Sequence, residues 1–138
     1  MKLTAHKREW VLAKVRHYCS LLLVEPPRVI MTGTEYEVWK KAKREERVGR
    51  LRKVLGFEPH RKPIKVGRSS FTNYLGVCHR ADKMIVVFVK KSQSLRRLDD
   101  TIRHELIHYA KPSYNHCSAE FRDRMERLRK GNIKNGKF

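Results

Sequence analysis

Apolar residues recur at every third or fourth position in four stretches of this chain, a spacing that buries one face of an α-helix. The predicted helices cover about 3–23, 34–55, 94–111 and 118–130. Pro26 and Pro27 stop the first helix, because tandem prolines cannot continue it. Thr34 and Ser94 are candidate N-caps of the second and third helices, and Gly131 ends the fourth.

Between the second and third helices, at about 63–91, the apolar pattern changes to the alternation typical of β-strands. Three strands are predicted there, at 64–68, 74–78 and 84–89. The third is apolar at nearly every position, so it should be the most buried. A further short strand is predicted at 28–32, after the prolines. We therefore expect an α+β fold in which a small antiparallel β-meander runs directly into the third helix.

The third helix carries the sequence His104-Glu105-Leu106-Ile107-His108. Residues four apart lie on one side of a helix, so His104 and His108 can bind a single metal ion. Two imidazoles at this spacing favour zinc, and Glu105 beside them can take a proton from a water on that metal. A short pattern of this kind also occurs by chance on ordinary helix surfaces. Here the predicted helix and a third candidate ligand nearby favour the zinc site.

The apolar stripe of this helix lies beside the histidines, which share a neighbouring face with Thr101 and Glu105. The stripe comprises Leu95, Leu98, Ile102, Leu106 and Tyr109. This arrangement predicts that the stripe packs into the core while the two imidazoles stay accessible to a metal.

The third zinc ligand is expected from the loop that leads into the last helix. His116 is the main candidate, with the adjacent Cys117 and the downstream Glu120 as alternatives. The metzincin class of zinc peptidases is excluded by spacing. It requires a glycine and a third histidine where this chain has Lys111 and Tyr114.

The chain is strongly basic, with 33 Lys and Arg residues against 14 Asp and Glu residues and a net charge of +19. Such an excess predicts attraction to polyanions, nucleic acid first. No apolar run is long enough for a membrane span, and the N-terminus lacks the apolar run of a secretory signal. Three cysteines without a close pair argue against a disulfide framework. We expect a cytoplasmic, nucleoid or nuclear protein that is not secreted.

The second predicted helix concentrates this charge, because eight cations between Lys40 and Lys53 face only Glu45 and Glu46, a net charge of +6. A run of charge is often just a solvated face. The alternative is a surface that contacts nucleic-acid phosphates without reading sequence. The candidate contacts are Lys40, Lys41, Lys43, Arg44, Arg47, Arg50, Arg52 and Lys53.

The region from Tyr74 to Leu128 resembles the SprT-like zinc metallopeptidases, the Spartan-type family that acts on DNA–protein crosslinks. The resemblance rests on the strand 74–78, the apolar strand 84–89, the histidine helix, and His116 followed five residues later by Phe121. It implies a minimal zincin-like fold, zinc on His104, His108 and His116, and Glu105 as the base. Cys117 stands where the family often has a glycine, and the separate zinc module of many members is absent.

Together these patterns predict a single SprT-like domain over residues 1–130, followed by a frayed basic tail at 131–138. The expected function is a zinc endopeptidase recruited to nucleic acid, with DNA favoured over RNA, and acting on DNA-bound or DNA-crosslinked proteins. The alternative is a basic nucleic-acid-binding or structural protein whose metal site is vestigial or structural. A metal-dependent nuclease is less favoured, because such sites are usually rich in carboxylates.

Overall fold

The computed structural model describes residues 5–56, 75–90, 93–111 and 119–137, and it has the α+β architecture expected. The helices are α1 (Ala5–Leu22), α2 (Gly33–Leu55), α3 (Leu95–Ala110) and α4 (Ala119–Lys130), and the strands are β1 (Arg28–Ile30), β2 (Gly76–His79) and β3 (Met84–Val87). A 3₁₀ turn at Arg80–Asp82 connects β2 to β3. None of the described helices has the length and apolar character needed to cross a membrane.

The three strands form one mixed sheet with β3 at its centre. β2 pairs with β3 in antiparallel fashion, with Cys78 opposite Ile85, as predicted. β1 lies on the other side of β3 and runs parallel to it, with Val29 opposite Ile85. The antiparallel pairing predicted between the strands at 74–78 and 84–89 is therefore confirmed, and the short strand predicted at 28–32 adds a parallel partner to β3. The strand predicted at 64–68 lies outside the described residues.

The core forms where α1 and α3 pack together and α3 covers the sheet. All four residues of β3 are buried, which confirms that this strand is the most buried of the sheet. α1 contributes Val11, Val15, Tyr18 and Leu22, the face that its periodicity predicted. Each such side chain contributes roughly 1.5–3 kcal/mol by leaving water. This burial fixes α3 against the sheet and so positions the residues that α3 carries.

Helix ends follow local backbone chemistry at most of the predicted positions. Gly56 ends α2 with a left-handed φ of 73°, and its N–H donates to the carbonyl of Arg52 at 2.9 Å. α1 stops earlier than the prolines require, because Leu23 turns left-handed at φ 54° and Val24 N donates to Cys19 O at 3.1 Å. α2 begins at Gly33, so Thr34 lies inside the helix and was wrongly predicted as its N-cap.

Contacts between Cα atoms divide the chain into two compact units, one formed by residues up to Thr32 and from Leu75 onward, the other by Gly33–Tyr74. The described part of the second unit is α2 with Gly56. Over its full length α2 also carries Glu35 and Glu37, so its net charge is +4. The value of +6 applies to the stretch from Lys40 to Lys53.

The C-terminal segment was predicted to be frayed, and over Gly131–Lys137 this is wrong. The backbone groups of Lys134 and Lys137 exchange hydrogen bonds of 3.3 and 2.9 Å across a tight turn. Gly136 in that turn is buried, and a Cβ there would lie 2.7 Å from the carbonyl oxygen of Leu22. The segment is therefore anchored on the end of α1.

Candidate metal centre

α3, the helix that carries the two histidines, begins as the sequence predicted. Ser94 is its N-cap, and its hydroxyl accepts a hydrogen bond of 3.2 Å from the backbone N–H of Arg97. Leu98, Ile102 and Leu106 of the predicted stripe are buried. Leu95 is 50 % exposed, because it lies in the first turn of the helix, and its predicted core position was wrong. The helix is thus held from its cap to the turn that bears His108.

His104 and His108 lie side by side on α3, half-buried, with their Nε2 atoms 3.1 Å apart and their ring centroids 4.7 Å apart. Two bonds of about 2.0–2.1 Å from one zinc ion at a tetrahedral angle place two nitrogens about 3.3 Å apart. The observed separation therefore fits a pair of nitrogens that share one zinc ion.

Phe121, which is buried on α4, packs against both imidazoles. Its ring centroid lies 4.9 Å from that of His104 and 5.1 Å from that of His108. Contacts of this kind restrict the rotamers that the two histidines can adopt. The first turn of α4 thus forms one wall of the site.

Glu105 lies on the face of α3 that packs against β2, and its side chain is only 6 % exposed. Burial disfavours the charged carboxylate and raises the pKa of Glu105 to about 7. Burial also raises the pKa of the Cys78 thiol on β2 to about 11, and the nearby charge of Glu105 adds to the rise. A carboxyl group with a pKa near neutrality can both accept and return a proton.

Arg103, the residue before His104, belongs to a hydrogen-bond cluster that links α3 to α4 and, through Asp99, to α1. Its guanidinium is buried and donates to Asp99 at 3.0 Å, to Asp100, and to the backbone carbonyl of Met125 on α4 at 2.7 Å. The hydroxyl of Tyr18 on α1 donates to the other oxygen of Asp99 at 2.6 Å. This cluster was not predicted from the sequence. The positions of Asp99 and Asp100, four and three residues before Arg103, were the available signal.

The predicted third ligand, His116, and its neighbour Cys117 lie outside the described residues. Within 5–56, 75–90, 93–111 and 119–137, no three His, Cys, Asp or Glu side chains form a group that could hold a metal ion. Glu120, the alternative ligand on α4, has a side chain 80 % exposed and pairs with Arg124 at 3.8 Å. The described residues therefore bring together two of the three predicted ligands, and the zinc site remains a prediction.

The eight cations predicted to contact nucleic acid all lie on α2. This helix belongs to a different compact unit from α3, which carries the histidines. Five of the cations are exposed: Lys41, Arg47, Arg50, Arg52 and Lys53. Lys40 is half-buried, and its ammonium lies 4.4 Å from the centre of the Tyr36 ring, a cation–π distance. These exposed cations are accessible to a phosphate backbone, and their role remains a prediction.

Comparisons of this chain with protein-family models, with curated proteins and with solved structures found no match. The site itself therefore provides the basis for a functional proposal. It contains two half-buried imidazoles at a separation that suits zinc, and a residue between them in sequence, Glu105, is a buried glutamate whose pKa is raised to about 7.

Proposed function

We propose that this protein is a zinc-dependent endopeptidase of the SprT-like kind, recruited to nucleic acid and acting on DNA-bound or DNA-crosslinked proteins. The observation that carries the proposal is the geometry on α3, where His104 and His108 present nitrogens 3.1 Å apart beside the buried Glu105. A pair of surface histidines without a shared function would not require a buried carboxyl group next to them in sequence.

In this proposal His104, His108 and His116 hold the zinc ion. Zinc bound there supplies Lewis acidity, which acidifies the attacking water and polarises the scissile carbonyl. Glu105 accepts the proton of that water and then donates it to the departing amine nitrogen. In the metal-free chain burial raises the pKa of Glu105, which makes its carboxyl group a stronger proton acceptor than an exposed glutamate.

The protein scaffold contributes by keeping these groups in place before substrate arrives. Phe121 restricts the imidazoles, and Arg103 ties α3 to α4 one residue before His104. Preorganisation of this kind lowers the entropic cost of reaching the reactive geometry. The site then needs little rearrangement when a peptide enters.

Recruitment to nucleic acid rests on charge. The net charge of +19 and the exposed cations of α2 favour attraction to a polyanion, and contacts to phosphates carry no sequence preference. A peptidase concentrated on DNA in this way would meet its protein substrates by proximity, so sequence-independent binding is compatible with the function.

The decisive experiment compares Glu105→Gln with Glu126→Gln in cleavage of a protein crosslinked to DNA, with zinc content measured for each variant. We expect Glu105→Gln to bind zinc and to lose cleavage by a factor of about 10²–10⁴, as expected for loss of a general base. Glu126→Gln, which alters an exposed glutamate of α4, should cleave like the wild type. Undiminished cleavage by zinc-loaded Glu105→Gln would refute the mechanism.

A second function, that of a basic nucleic-acid-binding protein with a structural metal, is favoured by the same net charge. The two differ in coordination, because a catalytic zinc keeps an open position and a structural zinc is closed by a fourth side chain such as Cys117. Cobalt substitution separates them. Thiolate-to-cobalt absorption that disappears in Cys117→Ser would support the structural role, and its absence would support the peptidase.

A further inference from the structure

The backbone of β2 approaches α3 very closely at Gly76. A Cβ at this position would lie 2.8 Å from the carbonyl oxygen of Val86, 2.9 Å from Cγ of Glu105 and 3.0 Å from Cγ2 of Thr101. Carbon atoms that are not bonded pack at about 3.5–4.0 Å. Position 76 therefore has no room for any side chain while its neighbours keep their places.

The neighbours of Gly76 cannot all move away. Val86 belongs to β3, the central strand, which is paired on both sides, so its carbonyl oxygen is fixed. Thr101 and Glu105 lie one turn apart on α3, and each is only 6 % exposed. The hydroxyl of Thr101 donates to the carbonyl of Arg97 at 3.0 Å, which holds that side chain in one rotamer. Glu105 is the member of this group with the most torsional freedom.

A side chain at position 76 would therefore displace the Glu105 side chain or lift β2 from α3. In either case the carboxyl group would move relative to His104 and His108, because the nearest atoms of α3 to a Cβ at position 76 belong to Glu105 and Thr101. The absence of a side chain at position 76 thus acts on α3 first through Glu105 and Thr101.

We propose that Gly76 is a positioning residue for Glu105. Because position 76 has no side chain, the methylene groups of Glu105 pack directly against its backbone. The inference rests on the proposed peptidase function, because Glu105 is positioned there for proton transfer. It adds to that function a residue of the sheet that acts through the side chain of Glu105.

The contact is tested first without any activity assay. Urea unfolding midpoints are measured for the wild type, Gly76→Ala, Glu105→Ala and the double variant. Glu105→Ala removes Cγ, so we expect Gly76→Ala to lower the midpoint clearly less in the Glu105→Ala background than in the wild type. Equal decreases in both backgrounds would overturn the contact, and the inference with it.

Cleavage by zinc-loaded enzyme is measured next. We expect Gly76→Ala to lower kcat by a factor on the order of 10–100, with KM and zinc affinity close to those of the wild type. Gly49→Ala is the matched control, since a Cβ at Gly49 on α2 meets nothing within 4 Å. If Gly76→Ala does not fold, Gly76→Ala is combined with Thr101→Ser, which removes the Cγ2 contact, and compared with Thr101→Ser alone.

The outcomes distinguish the two proposals. An active wild type with unchanged kcat in Gly76→Ala, or in the double variant with Thr101→Ser, overturns the role of Gly76 and leaves the peptidase intact. An inactive wild type overturns the peptidase and the positioning role together, and the unfolding midpoints then report only packing. Reduced kcat with unchanged KM and zinc affinity, together with unequal midpoint decreases, supports the inference.

Discussion

Replacement of Arg103 by methionine tests whether the buried hydrogen-bond cluster beside the histidines holds α3 and α4 together. Methionine keeps an apolar stem of similar length but removes the guanidinium, which donates to Asp99 and to the Met125 carbonyl. Breaking a buried ion pair on one side costs about 3–5 kcal/mol. Asp99 keeps the Tyr18 hydrogen bond and is 15 % exposed, so we expect the lower end, about 3 kcal/mol.

The assay is urea unfolding followed by circular dichroism at neutral pH. A loss of about 3 kcal/mol lowers the midpoint by about 1.5–2 M for a protein of this size. Arg129→Met is the matched control, because Arg129 pairs with Glu126 at 2.7 Å while both side chains are half exposed. Such pairs contribute little to stability, so its midpoint should stay close to that of the wild type.

A second variant locates the cause of the loss. Asp99→Asn in the Arg103→Met chain removes a charge whose remaining cationic partner is Lys14 at 4.0 Å, and it should recover part of the midpoint, since the amide oxygen can still accept from Tyr18. A decrease in Arg103→Met no larger than that in Arg129→Met would refute the reasoning, because the cluster would then have no more effect than an exposed pair.

Three further predictions concern the site and its surface. In the metal-free chain, burial raises the pKa of Glu105 from 4.5 to about 7, so its contribution to stability is fully present below pH 4.5 and is lost as the pH rises through 7. Relative to Glu105→Gln, the wild type should lose about 3 kcal/mol between pH 4.5 and 8 in urea unfolding, and a flat difference would contradict this. Phe121→Ala should lower the free energy of unfolding by about 3–4 kcal/mol and weaken zinc binding in competition titrations, whereas Phe121→Leu should retain most of the stability. Unchanged zinc affinity in folded Phe121→Ala would argue against a role of Phe121 in holding the imidazoles. Replacement of four exposed cations of α2 by glutamine should reduce the slope of log binding constant against log salt concentration by up to about 3–4 for DNA binding. An equal change after the same replacement of four cations in the C-terminal region would rule out α2 as the main contact. The two sets are Arg47, Arg50, Arg52 and Lys53 on α2, and Arg122, Lys130, Lys134 and Lys137 as the control.

Features that depend on a few neighbouring residues were predictable from the sequence. The serine cap of α3 and the glycine ends of α2 and α4 were placed correctly, because each depends on local hydrogen bonds and a left-handed backbone. The pairing of His104 with His108 was predictable for the same reason, since helical spacing alone brings them together.

Features that depend on distant parts of the chain were not predictable. The parallel pairing of β1 with β3 joins residues more than 50 positions apart, and no local pattern encodes it. The close approach of Gly76 to Glu105 joins a strand to a helical residue 29 positions later, and no local pattern indicates it. The bond from Arg103 to the Met125 carbonyl likewise joins α3 to a later helix.

The different faces of α3 explain why its histidines and its glutamate behave differently although they adjoin in sequence. One face packs against α1 and β3, and the next, with Thr101 and Glu105, packs against β2. The histidine face packs against Phe121 and stays half-exposed. A ligand from solvent can therefore reach the imidazoles directly, whereas Glu105 stays desolvated at their side. Because desolvation raises its pKa, the same packing that stabilises α3 also sets the basicity of the carboxyl group.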